Sequence, residues 1–202
     1  MNPSPKPPHQ RPELPEFWDK RFREAVIPWR AQGVGPELVN WLPGRTPGRA
    51  LVPGCGHGEE AAFLARAGWA VTALDFSPEA VAAARATLGD WSGHLVCDDF
   101  FTFTPPAPFD LVVERAFLCA LPRRCWADYG PRLARLIRPG GHLVGWFFQG
   151  DEPKGPPFGL APDQLEKLLG PAFRRLEQGP SQNPVPLFGQ GESWQVWERL
   201  GD

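Results

Sequence analysis

A doubly wound α/β fold follows from three observations. It should carry a mostly parallel seven-stranded sheet with an antiparallel hairpin on its C-terminal edge. First, short apolar runs alternate with helix-period segments between Arg49 and Phe148, the pattern of a parallel sheet wound by crossover helices. Second, "LVPGCGHG" places glycines at alternate positions where the first of these strands passes into a helix. Third, "AFRRLEQ" and "SWQVWERL" both alternate like strands, with only the Pro/Gly-rich "GPSQNPVPLFGQG" between them. Two late strands without a helix between them pair antiparallel at an edge.

The elements follow in order. Residues 1–15 hold six prolines and few apolar groups, which predicts an extended, poorly ordered arm. "EFWDKRFREAV" spaces Phe17, Trp18, Phe22 and Val26 near helical period, and "PELVNWL" opens a second short helix with Pro36 at N1. These helices, within residues 16–48, precede a core running from 49 to 202. "RALVP" is a strand. "GHGEEAAFLARAG" is a helix closed by Gly68 at C′, and "WAVTALD" is the next strand. "SPEAVAAARATLG" is a helix with Ser77 as N-cap and Pro78 at N1. "GHLVC" and "FDLVVE" are strands. "PRRCWADYGPRLARLI" is mostly helical, with a kink or break expected at Gly130–Pro131. "RPGG" turns the chain into the strand "HLVGWFF", and "PDQLEKLLG" is a short helix before the final pair.

Composition narrows the function. The 202 residues suit one domain, with 42% hydrophobic and 22% charged residues. A net charge of -2 offers no basic field for nucleic acid or an anionic membrane. No apolar run is long enough to span a bilayer. The start "MNPSPKPPHQRPELP" has no apolar signal region, so a cytoplasmic protein, a monomer or weak homodimer, is expected. Cys55, Cys97, Cys119 and Cys125 include no C-x-x-C pair, and the histidines form no H-E-x-x-H, so no metal site is expected. Nine tryptophans suggest core packing, with one or two left for a ligand.

The glycine loop carries the chemistry. Gly54, Gly56 and Gly58 allow positive φ and close approach of a ligand to the backbone. Asp75 lies 21 residues after Gly54, at the end of the second core strand, where a ribose diol could donate to it. A dinucleotide fingerprint requires glycine at position 59, which is Glu59, and no G-K-[ST] of a P-loop is present. Glu59 and Glu60 at a helix start would repel a pyrophosphate. A ligand with adenosine and an amino-acid carboxylate but no phosphate fits better, and S-adenosylmethionine is such a molecule. In a 3-2-1-4-5 sheet the glycine loop and the end of the fourth strand, Glu114–Arg115, flank the switch point where ligands bind.

The chain resembles the Rossmann-like class I S-adenosylmethionine-dependent methyltransferases. More narrowly it resembles the thiopurine S-methyltransferase family, which includes thiol and halide methyltransferases. The stretches that carry the likeness are "LVPGCGHG", "DFFTFTPPAPFDLVVERAFLCALP", "RLARLIRPGGHLV", "GPPFGL" and "WQVWERL". The resemblance implies that Gly54, Cys55, Gly56 and Gly58 lie beneath the methionine part, and that Asp75 with Phe76 takes the ribose. It implies that Asp99 and Phe100 meet the adenine, that Trp29 covers the cofactor, and that Glu114 and Arg115 face the transferred methyl. Asp98 and Asp99 are adjacent, so only one is expected to point inward. Some relatives carry an aromatic at the position of Arg115 and a tryptophan at that of Phe22.

Methyl transfer from a sulfonium is an in-line displacement that needs alignment and exclusion of water, with no metal or triad. A cation at Arg115 would favour the thiolate form of a thiol, unless it is spent in an ion pair with an acid. The expected reaction is methylation of a small soft nucleophile: a thiol, thiopurine-like sulfur or halide. An oxygen, nitrogen or macromolecular acceptor, or cofactor binding without turnover, remain alternatives.

Overall fold

The computed structural model describes residues 6–150, 152 and 154–201. Its sheet has seven strands in the order β3-β2-β1-β4-β5-β7-β6. β1 (Arg49–Pro53), β2 (Ala70–Asp75), β3 (His94–Cys97), β4 (Phe109–Arg115) and β5 (Ile137–Phe148) run parallel. β6 (Phe173–Pro180) and β7 (Glu192–Arg199) run antiparallel, with β7 inserted between β5 and β6.

Both faces of the central strands are buried, as a parallel sheet covered by helices requires. One face meets α2 (Pro36–Trp41), α3 (Glu59–Arg66) and α4 (Pro78–Leu88) through Leu38, Leu64 and Ala84. The other meets α5 (Trp126–Leu136) and α6 (Gln164–Leu169) through Tyr129, Leu133 and Leu165. Local signals end these helices as the sequence suggests. Gly68 sits at φ +88°, with Trp69 N–H donating to Leu64 O and Gly68 N–H to Ala65 O, the Schellman pattern. Ser77 Oγ accepts from Ala80 N–H at 3.1 Å.

Three local expectations are revised. α5 runs unbroken through Gly130–Pro131. Its apolar stripe is buried along its length, and the α6 backbone lies so close to Gly130 that a Cβ there would stand 2.0 Å from Leu168 O. The "RPGG" turn is a bulge inside β5: Ile137 pairs with Phe109 and His142 with Leu111, so residues 138–141 bow out. The proline-rich arm is partly folded. Residues 1–5 lie outside the described residues, but Pro8–Gln10 form a 3-10 turn, and Pro12 O accepts from Trp18 Nε1 at 2.8 Å. α1 (Pro15–Arg23) then packs on α4.

Candidate active site

β1 ends in a turn in which Gly54, Gly56 and Gly58 all have positive φ, between +51° and +79°. The backbone is therefore bent for a ligand-facing loop at the switch point between β1 and β4. A Cβ on Gly56 would meet no protein atom closer than the Phe22 ring at 3.8 Å. The space above this glycine is left open by the protein, and Gly56 borders a cavity.

Asp75 borders the same cavity from the end of β2. Its Oδ1 accepts from Ser77 N–H at 3.0 Å and its Oδ2 from Gly56 N–H at 3.1 Å. Each oxygen keeps a lone pair for a further donor. Burial outweighs these amide bonds and pushes its carboxyl up to about 6. Phe76, Asp98, Asp99 and Phe100 continue the same wall. Asp98 and Asp99 both border the cavity. They follow the end of β3 at Cys97, so strand alternation no longer governs them, and each caps a local amide: Asp98 takes Asp99 N–H and Asp99 takes Phe101 N–H, both at 2.7 Å.

The opposite wall comes from distant parts of the chain. Trp29 borders the cavity, packed edge-on against Trp18 at 5.4 Å and resting on the cluster of Cys119, Phe148, Val185 and Phe188. Arg30 clamps this segment to the start of α3 through Glu59, at 2.9 and 2.7 Å. The segment after β4 supplies Ala116, Phe117, Leu121 and Pro122. Two of the stretches that carry the family resemblance meet here, since Phe158 N–H of "GPPF" donates to Cys119 O of "FLCALP" at 2.7 Å.

Arg115 lines the cavity but is engaged elsewhere. Its side chain pairs with buried Glu192 (3.3 Å) and donates to Asn183 O (2.6 Å) and Gly33 O (3.4 Å). It also lies over the Trp146 ring at 4.6 Å. The acid it pairs with is therefore Glu192, and the cation ties the N-terminal segment and the β6–β7 connection to the end of β4. Glu114 is placed otherwise than expected. Being next to Arg115 on a strand it points to the opposite face. There it is fully buried, accepts from Leu118 N–H at 2.9 Å and from Tyr129 Oη, and does not border the cavity. Burial pushes its carboxyl up to about 7. Gly58 also stays behind the cavity, as the N-cap of α3 backed by Leu88. Cys55 does line it, but burial raises its thiol well above the usual range, so it is packing and not a nucleophile.

Among the lining residues that the sequence reading did not place in the site are Phe22, His57 and Glu60, together with Trp18, Ile27, Ala116, Phe117 and Leu121. Phe22 and His57 lie ring to ring at 5.4 Å. Only the helical period of α1 and the position of His57 inside the glycine loop hinted at them. Among the described residues no cluster of ligands for a metal ion occurs, and no helix is long and apolar enough to cross a membrane.

The cavity suits S-adenosylmethionine in charge. Its lining arginines, Arg30 and Arg115, are paired with Glu59 and Glu192, whereas Asp75, Glu60, Asp98 and Asp99 are in no ion pair among the described residues. A cationic sulfonium ligand is favoured by that balance and a pyrophosphate is not.

Fold and site together define a class I S-adenosylmethionine-dependent methyltransferase. The comparisons take this further. Residues 14–199 match the model of the thiopurine S-methyltransferase family, and the chain belongs to that family. It is 33% identical over 164 residues to a probable thiol methyltransferase 2 of Arabidopsis thaliana, covering 76% of this chain and 71% of that one. It is 31% identical over 192 residues to a thiopurine S-methyltransferase of Vibrio cholerae, covering 84% and 88%. Among solved structures, the 1,6-didemethyltoxoflavin-N1-methyltransferase of Burkholderia thailandensis superposes with a TM-score of 0.76 at 20% identity, over 100% of this chain and 94% of that one. That structure holds S-adenosylhomocysteine, and the likeness speaks for the fold.

Proposed function

We propose that this enzyme methylates a small soft nucleophile, a thiol, a thiopurine-like sulfur or a halide. The observation that carries the reading is the character of the wall facing the glycine loop. Phe22, Ile27, Trp29, Ala116, Phe117 and Leu121 make it apolar, and the arginines that line the cavity, Arg30 and Arg115, are matched by Glu59 and Glu192. Such a wall desolvates a polarisable anion or thiol and offers an amine or alcohol little help in shedding its proton. Family membership supports the same reading, since its relatives include thiol, thiocyanate and thiopurine methyltransferases.

The cofactor supplies a methyl group already activated on a sulfonium. Asp75 with Phe76 holds the ribose, Asp99 and Phe100 the adenine edge, and Gly54, Cys55 and Gly56 the methionine part. Trp29 closes the N-terminal side, within a lid of residues 16–48 on a core of 49–202. Arg115 holds lid, β4 end and β6–β7 connection in one arrangement, so that an acceptor entering along Phe117 meets the methyl in line. Glu114 fixes that wall from behind through Leu118. The protein acts in the cytoplasm as a monomer or weak homodimer, on a small molecule and not on nucleic acid or a membrane. The test is release of S-adenosylhomocysteine with hydrosulfide, thiocyanate, iodide, aromatic thiols, a thiopurine, catechols and amines in parallel. Turnover of the sulfur and halide acceptors is expected; turnover confined to amines or catechols overturns the assignment.

A further inference from the structure

Glu60 is the second residue of α3 and is only 8% exposed, yet it borders the cavity. No side chain among the described residues bonds to its carboxylate, which takes only its own backbone N–H. The charges that act on it are those of Arg115, Glu59 and Glu192. Two of these three cancel, because Arg115 and Glu192 form a buried pair, and Glu59 is paired with Arg30. One negative charge is thus left over at this end of the cavity. Burial without a partner pushes the Glu60 carboxyl above its usual range. A carboxylate kept in such a place is stabilised when a cation arrives from the cavity.

The identity of that cation follows from position. Asp75 and residues 98–100 mark the nucleoside end. Glu60 borders the cavity from the first turn of α3, within reach of the Arg115 charge at the end of β4, whereas neither Asp75 nor residues 98–100 are among the charges that act on it. A ligand anchored by its ribose at Asp75 and laid over Gly56 presents its amino-acid tail to this end. The tail is a zwitterion, and the surroundings match it. Beside Glu60, Arg115 has used four of its five N–H donors on Glu192, Asn183 and Gly33, which leaves one on Nη1 for a carboxylate.

We infer that Glu60 recognises the α-ammonium of the cofactor's methionine part and selects ligands that carry it. The inference rests on the cofactor assignment above, so the experiment separates the two. Calorimetric affinities are measured for S-adenosylmethionine, S-adenosylhomocysteine, the desamino analogue of S-adenosylhomocysteine, and 5′-methylthioadenosine, which lacks the amino-acid tail. Wild-type protein should bind S-adenosylhomocysteine at least ~10-fold more tightly than the desamino analogue. Glu60→Gln should erase that preference by weakening S-adenosylmethionine and S-adenosylhomocysteine alike, and leave 5′-methylthioadenosine within about twofold. No preference in the wild type overturns the inference without needing a variant, and so does a preference that survives in Glu60→Gln. A loss confined to S-adenosylmethionine also overturns it, because it would place the carboxylate at the sulfonium. If 5′-methylthioadenosine and S-adenosylhomocysteine both fail to bind the wild type, the cofactor assignment itself falls.

Discussion

The two ends of the cavity are built by different means. Around Asp75 the contacts are local: Asp75 bonds to Ser77 two residues away and to Gly56 nineteen residues away, across adjacent strands. Around Arg115 they are remote. Arg115 reaches Asn183, Glu192 and Gly33 over 68, 77 and 82 residues, and Gln182 N–H donates to Glu37 over 145. The first end is backbone shaped by glycines and one carboxylate. The second is held by side chains from distant parts of the chain. The Asp75 end should therefore fail by losing ligand, and the Arg115 end by losing structure.

Arg115→Met tests the second half of that statement and should have the largest effect. It strands the buried Glu192 carboxylate without its cation, at a cost of about 3–5 kcal/mol. A urea melt should show this, and Glu192→Gln in the same chain should recover part of it. Activity should fall at every pH alike, because Arg115 acts here by position. A loss that shrank as the thiol ionised would instead restore Arg115 as the cation that favours the thiolate.

Gly56→Val tests the first half. The left-handed φ of +51° strains any side chain by about 1–2 kcal/mol, and the new methyls occupy the open space above the loop. Binding of S-adenosylhomocysteine should drop by ~100-fold or more, about 2.7 kcal/mol, while a cooperative thermal transition survives. Normal affinity would falsify the ligand reading of this loop.

A smaller effect comes from pH. In the proposed arrangement the ribose hydroxyls donate to the ionised form of Asp75, whose carboxyl is raised to about 6. Affinity is therefore full above this value and is lost as pH falls through it, by about tenfold between pH 7 and 5. Methylthioadenosine is the suitable ligand, because it keeps the ribose and lacks the tail that Glu60 would read. The same raised value works against the free protein: the Asp75 contribution to stability is present below the unfolded value of 3.8 and is lost as pH rises through about 6. A flat affinity profile would move the ribose away from Asp75.

The smallest expected effect lies at the lid clamp. Arg30 and Glu59 are partly exposed, so Arg30→Ala should cost no more than about 1 kcal/mol in stability. Hydrogen exchange should nevertheless quicken in residues 24–35 and stay unchanged in α5. Equal exchange would show that the Trp29 contacts alone hold the segment.

Much of this was legible because it is local. Pro36, Pro78, Ser77 and Gly68 each act within one helical turn, and their elements begin or end where those residues indicate. Asp75 and the glycine loop were found by spacing, because strand β1, one crossover helix and strand β2 have nearly fixed lengths. Glu114 was misplaced because the end of a strand offers two faces, and only the packing of Tyr129 shows which one is buried. Gly58 does not border the cavity, and its positive φ serves the start of α3.

The sequence by itself determined the sheet, its switch point, the edge hairpin and the positions of the glycine loop and Asp75 beside the cavity. These depend on periodicity, on turn residues and on contacts between neighbouring strands, all written within a few tens of residues. Only the tertiary structure decided that Arg115 is spent on Glu192, that Glu114 faces α5, that Pro131 leaves α5 unbroken, and that Glu60 is buried beside the cavity with no ion pair among the described residues. The physical reason is the range of the interactions. A buried charge takes its role from whichever partner the fold brings within a few ångströms, and a partner 77 residues away leaves no mark in the local pattern.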